Sequence, residues 1–179
     1  ELKIILPSVV SDNRLKEESS NTTFRETEYM DIGERSDGGK YRSLLLFELA
    51  QLNNTDKIEK ATLSLFWYYP GEERPKDTIL EVYRPEKWCE EHVSWDAGEI
   101  GTPWNNHGGD WYDKDGTSQG NTPYATITIK GSSLPDNRYY ELDITQLVQE
   151  YTSGKYENTG LLIKAREEES NYIAFYSSE

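Results

Sequence analysis

Histidine, cysteine and methionine are scarce in this chain of 179 residues, which holds 2 His, 1 Cys and 1 Met. A single Cys89 excludes an intrachain disulfide framework and leaves a small, semi-buried thiol beside Trp88. His92 and His107 lie in different segments with no ligand partner at metal spacing, so hydrogen-bonded or surface roles suit them better than zinc. The signatures of common catalysts are also missing: there is no GxSxG, P-loop, HExxH or CxxC. Carboxylates are so abundant that no glycosidase-like pair stands out, and a non-catalytic protein is expected. No run of 18 apolar residues occurs, so direct membrane insertion is not expected. Basic residues are outnumbered, 19 against 33 acidic, for a net charge of −14. That field repels nucleic acid and anionic membranes and favours cations or neutral partners.

What the chain has instead is aromatic surface, with 13 Tyr and 5 Trp. Its length is that of one domain, enough to bury roughly two thirds of the unfolded surface. The central stretch runs from Tyr41 to Tyr69: YRSLLLFEL, a polar turn LNNTDK, then IEKATLSLFWYY. Both flanks alternate at period two. Leu45, Phe47 and Leu49 share one side of the first; Ala61, Leu63, Leu65 and Trp67 share one side of the second, with Thr62, Ser64 and Tyr68 opposite. This predicts a half-buried antiparallel strand pair at the core of a sandwich.

Around it, LKIIL (Leu2 to Leu6) forms a short strand closed by Pro7, and SVVSDNRLKEESSN is a charged connector. TILEVYR and YATITIK alternate, the latter with Ala125, Ile127 and Ile129 on one face. Thr145 is placed to cap one short helix, TQLVQEYTS, whose Leu147, Val148 and Tyr151 share a face and which Gly154 can stop. GLLIKAR and NYIAFYS are two closing strands. About ten strands and no βαβ rhythm predict an all-β fold: an antiparallel β-sandwich of jelly-roll type with one short helix and a long aromatic loop.

That loop, Gly98 to Pro123, carries the candidate sites. Trp104, Trp111 and Tyr112, set among Asn105, Asn106 and Asp110, can form a sugar platform, rings stacking on pyranose faces while amides and carboxylates take hydroxyls. The plainer alternative is that these rings staple the loop to the sandwich. Asp110, Asp113 and Asp115 form a hard-oxygen cluster without the alternation or closing Glu of a calcium loop. A solvated acidic turn fits them better than a structural Ca²⁺ site, and no cofactor is required. Asn21 and Asn53 stand in Asn-x-Thr sequons within polar segments. With a chain that starts at Glu1 rather than Met, they point to an exported protein.

DNRLKE (Asp12 to Glu17) resembles the DNRLRE motif that names the disaggregatase-related repeats of archaeal, chiefly methanogen, cell-surface proteins. The similarity continues through KATLSLFWYYPG, EVYRPEKW, TPWNNHGGDWYDKDG, YYELDITQLVQEYTSG and NYIAFYSS. It implies a non-catalytic, carbohydrate-binding-module-like β-sandwich at the cell surface, related to proteins that act on a chondroitin-like matrix. Lys16 stands where the naming motif has Arg, which removes a bidentate contact. Family repeats also continue into a last Pro-x-Leu-x-Ile strand that this chain, ending at Glu179, does not show.

A sandwich short of one strand would expose unpaired backbone and apolar side chains, and something should fill the groove. Residues 1–11 are therefore expected to be a donor-strand segment and residues 12–179 the sandwich domain. Leu2, Ile4, Ile5 and Leu6 would enter either their own domain or the next copy, the latter giving a ring or an open filament. The leading expectation is an extracellular structural protein whose partners are other copies of itself, assembled head to tail. The alternative is a carbohydrate-binding module for a surface or matrix polysaccharide.

Overall fold

The structure, a computed structural model, describes residues 9–25, 27–36, 38–68, 75–133 and 138–177; the donor candidates Leu2, Ile4, Ile5 and Leu6 lie outside the described residues. In chain order the strands are β1 (Val9–Lys16), β2 (Phe24–Arg25), β3 (Tyr29–Glu34), β4 (Lys40–Phe47), β5 (Thr62–Tyr68), β6 (Thr78–Pro85), β7 (Ala97–Glu99), β8 (Thr102–Pro103), β9 (Trp111–Tyr112), β10 (Ala125–Ile129) and β11 (Tyr139–Asp143). Helix α1 (Thr145–Thr152) follows, then β12 (Leu161–Ala165) and β13 (Ile173–Tyr176). Every ladder among them is antiparallel.

The sheet follows the order β10-β6-β12-β4-β3-β13-β5-β11 and curls on itself, with β1 added against β4. One layer holds β10, β6, β12, β4 and β1; the other holds β3, β13, β5 and β11. They join where the end of β3 meets β4, through Gly33↔Tyr41 and Glu34↔Lys40. Between the layers lies the main core, including Met30, Ile32, Leu45, Leu65, Trp67, Val82, Leu142, Ile163 and Phe175. Helix α1 closes one end of it with Leu147, Val148 and Tyr151, all buried. The fold is the all-β antiparallel sandwich that the alternation predicted.

Three expectations change. The central stretch does not form a hairpin. β4 pairs with β1, β12 and β3, whereas β5 pairs with β13 and β11, so the two strands lie in opposite layers and 48–61 crosses between them. The inward faces are as the alternation placed them, since Leu45, Leu65 and Trp67 are buried and Phe47, Leu49 and Leu63 pack against them. Period two fixes which face a residue takes and says nothing about which strand lies alongside. Next, the connector Ser8 to Asn21 is mostly strand: β1 pairs with β4 from Val9↔Phe47 to Lys16↔Tyr41. Its two cations are accommodated because Arg14 pairs with buried Asp31 and Lys16 lies over the Tyr41 ring, while Glu17 and Glu18 are exposed. Finally, Thr145 does not cap α1; the N-cap position is Ile144, without a side-chain cap bond. Thr145 Oγ1 instead accepts from Ala61 N (3.0 Å) and faces the Asp143 carboxylate at 2.5 Å, tying the helix start to the β5 entry. Gly154, at φ +76°, ends the helix as expected.

Candidate functional site

The DNRLKE segment lies on β1 as far as Lys16, and its central residues each make a distinct contact. Asn13 and Leu15 face segment 86–123: Asn13 Nδ2 donates to Glu90 O (2.9 Å), and Leu15 is wholly buried in a second core. Arg14 pairs with Asp31, which is 0% exposed, and its guanidinium stacks over Phe24 (4.9 Å) and Tyr29 (5.7 Å). Burial works against the Arg14 charge, but Asp31 outweighs it and holds the guanidinium pKa above its ordinary value. Lys16 Nζ sits over the Tyr41 ring at 5.7 Å. An ammonium can also take a place over a ring, so Lys is accommodated at this place in the motif.

The second core sits on the outer side of the first layer and consists of Leu15, Leu44, Tyr83, Val93, Trp95, Trp104 and Leu162, with Trp88 and Trp111 packed against it. It exists because β4, β6 and β12 are apolar on both faces, so the outer face needs a cover. Segment 86–123 supplies it. Trp104 is 7% exposed and its Nε1 donates to Ser94 O at 2.9 Å. Trp111 Nε1 donates to Gly120 O (3.0 Å) and its ring lies 5.2 Å from that of Tyr83. Arg42 of β4 pins the loop from below: it forms a two-bond fork with Glu168 (3.0 and 2.8 Å), donates to Gly108 O (2.9 Å), and stacks on Trp95 and Trp111. Gly108, at φ +87°, must lack a side chain, because a Cβ would come within 2.5 Å of Arg42 Nη1.

The structure therefore brings the sugar-platform candidates together without presenting their rings as one face. Trp104 is buried, Trp111 is half-buried against Arg42, and Tyr112 donates to Glu86 (3.0 Å) under the Arg84 guanidinium. Asn105 and Asn106 are exposed at the loop tip. Asp110 holds that tip, accepting from Asn105 N (2.8 Å), Asn106 N (2.9 Å) and Asn106 Nδ2 (2.9 Å).

Asp113 is not a solvated acid. It is 3% exposed and accepts backbone donors from Asp115 (3.0 Å), Thr117 (2.9 Å) and Thr122 (3.3 Å). Its carboxylate organises the turn from within, the task assigned to calcium in loops that bind it. Asp115 is exposed, and among the described residues no three His, Cys, Asp or Glu converge as metal ligands. The sequon residues Asn21 and Asn53 are both exposed.

Two features escaped the sequence reading. One is the seam where the curled sheet fails to close. Among the described residues β10 pairs with β6 alone and β11 with β5 alone, and the two edges approach within 8 Å without a ladder between them. At one end the seam opens into a cleft of about 510 Å³ lined by Tyr124, Thr126, Asp143, Gln146 and Gln149. The other is an aromatic row on the outer face of the second layer. Its signal was Phe66, an apolar aromatic on the face of TLSLFWY that also carries Thr62 and Ser64.

A curled antiparallel sandwich with a loop stapled over a second core is the architecture on which the comparisons bear. The chain belongs to the disaggregatase related repeat domain family, whose profile matches residues 12–179. The match begins at Asp12, within β1, and takes in both cores. Against curated proteins the chain has no significant match.

Proposed function

We propose that this chain is a non-catalytic extracellular repeat that builds a cell-surface filament or matrix by passing its Leu2 to Leu6 segment into the seam of the next copy. The observation that carries this reading is the pair of facing edges, β10 and β11, each with a ladder on one side only among the described residues. Such edges are templates for an added strand. β10 and β11 are five residues long, the length of LKIIL. An entering strand would set Leu2, Ile4 and Leu6 against the core lined by Ala125, Ile129, Tyr140 and Leu142. Three such side chains contribute roughly 5 to 9 kcal/mol of gross burial. Strand insertion requires the edges to part to about 9.6 Å, twice the strand spacing.

Membership of a repeat family associated with cell-surface proteins supports the location. The attachment point suits strand donation: Val9 lies at the Phe47 end of β4, at a margin of the sandwich. The head-to-tail contact is heterologous, so it repeats from copy to copy, into an open filament unless the rotation closes a ring. Deleting residues 1–7 is expected to leave a monomer by light scattering, while the undeleted chain forms species that grow with concentration. If the undeleted chain stays monomeric at every concentration, the proposal is wrong.

A further inference from the structure

On the outer face of the second layer, one aromatic side chain from each of four neighbouring strands falls into a single row. Tyr139 of β11 pairs directly with Phe66 of β5, and Tyr176 of β13 directly with Tyr29 of β3. The Trp67↔Phe175 register places Phe66 and Tyr176 opposite each other. Ring centroids are 4.9 Å apart for Phe66 and Tyr139 and 6.0 Å for Phe66 and Tyr176. The row stays in contact with solvent: Tyr139 is 64% exposed and Tyr176 45%, two of the three large apolar side chains so exposed among the described residues. Arg14, lying over the Tyr29 and Phe24 rings, continues it towards the sheet margin.

We infer that the row Tyr139–Phe66–Tyr176–Tyr29 is a stacking site for a linear, neutral polysaccharide, distinct from the long loop and from the seam. Its shape selects the ligand. Four strands at about 4.8 Å spacing make a track about 14 Å long and one side chain wide, roughly 7 Å. That is on the order of 100 Å², far below the roughly 800 Å² per partner of a stable protein interface. A second copy or a globular partner is therefore a poor occupant, whereas a sugar chain is narrow and offers apolar C–H faces once per ring. Beside the track, two residues along the same strands and on the same face, Ser64 and Glu141 are paired and exposed. Their hydroxyl and carboxylate are placed to accept sugar hydroxyls while the rings take the flat faces.

Charge decides the class of sugar. Glu28 and Glu141 flank the row, both exposed, within a protein of net charge −14. Of the cations near the row, Arg14 is committed to Asp31 and Arg138 lies over the Tyr140 ring. A sulfated or uronic polymer would meet repulsion without a counter-charge, and a neutral one would not.

The test is affinity electrophoresis of the full chain through gels containing hydroxyethylcellulose, galactomannan or laminarin, with chondroitin sulfate as the anionic probe. Retardation by at least one neutral polymer is expected, falling roughly 5- to 10-fold in Tyr139→Ala/Tyr176→Ala and persisting in Tyr139→Phe, which keeps the ring. Tyr112→Ala, on the loop, is expected to bind like the parent. Near-UV circular dichroism checks that the double variant keeps its fold. No retardation by any neutral polymer, retardation by chondroitin sulfate alone, or undiminished binding by the folded double variant would each overturn the assignment. So would self-association of the parent that the double variant abolishes, since that makes the row a contact between copies. Deleting residues 1–7 leaves the row intact, so loss of polymer growth and loss of glycan binding are separable.

Discussion

Replacing Arg14 by Met tests the link between the family-naming segment and the fold. The guanidinium side chain is 18% exposed and the Asp31 side chain 1%, so the pair is largely withdrawn from water. Met fills much of the same volume and leaves Asp31 without its counter-charge. Stranding one member of a buried pair costs about 3 to 5 kcal/mol. Loss of the stacking over Phe24 and Tyr29 adds roughly 0.5 to 1 kcal/mol. At about 2 to 4 °C per kcal/mol for a domain of this size, the melting temperature should fall by about 7 to 24 °C. The sign is checked by the double variant Arg14→Met/Asp31→Asn, which removes both charges and should recover at least half of the loss.

A pH series sharpens the same test. Burial pushes the Asp31 carboxyl above its ordinary 3.8, opposed by Arg14 and by the neighbouring Tyr172 and Arg35. A raised folded value means that stability from this group is fully present below 3.8 and is lost as pH rises through the folded value. Removing Arg14 takes away the main opposition and raises that value further. Arg14→Met should therefore regain stability as pH is lowered from neutrality towards 5, relative to the parent, and the double variant should not. Melting followed by far-ultraviolet circular dichroism between pH 5 and 8 measures this. A single-variant cost below about 1 kcal/mol, or a double variant less stable than the single, would refute the stranded-charge reasoning.

Trp104→Ala should cost about 3 to 5 kcal/mol in urea denaturation, because it empties a place in the second core, whereas Tyr112→Ala should cost under about 1 kcal/mol; equal losses would mean that the loop is not stapled as described. Asp113→Ala should destabilise by about 2 to 4 kcal/mol by orphaning its backbone donors. Treating the parent with EGTA should leave its melting temperature unchanged, because the Asp113 oxygens are already taken by N–H groups. A drop on chelation would show that a metal shares the turn.

Alternation alone gave the class of fold and the inward faces of β4, β5, β6 and β10, because side-chain direction along a strand is a local property. It also exposed the limits of local pattern. LNNTDK looks like a hairpin turn, yet β4 and β5 separate into different layers. β4 has a second apolar face, Leu44, that only the cover from 86–123 satisfies. The glycan platform failed to assemble for a related reason. Tryptophans in a polar loop carry the same letters whether they face solvent or a hidden second core, and only the outward faces of Leu15, Leu44, Tyr83 and Leu162 show which. Phe66 was the one legible clue to the outer row, as an aromatic on a polar face. Tyr139, Tyr176 and Tyr29 joined it through register.

The amino-acid sequence by itself determined the composition of the surface charge, the period of each strand, the helix and its glycine stop, and the family. Tertiary structure decided which strands are neighbours, that Arg14 would meet Asp31, that the loop aromatics would turn inward, and that four rings from separate strands would line up. The reason is physical: period and propensity act within a few residues, whereas pairing, burial and the alignment of side chains across strands depend on contacts between segments far apart in the chain.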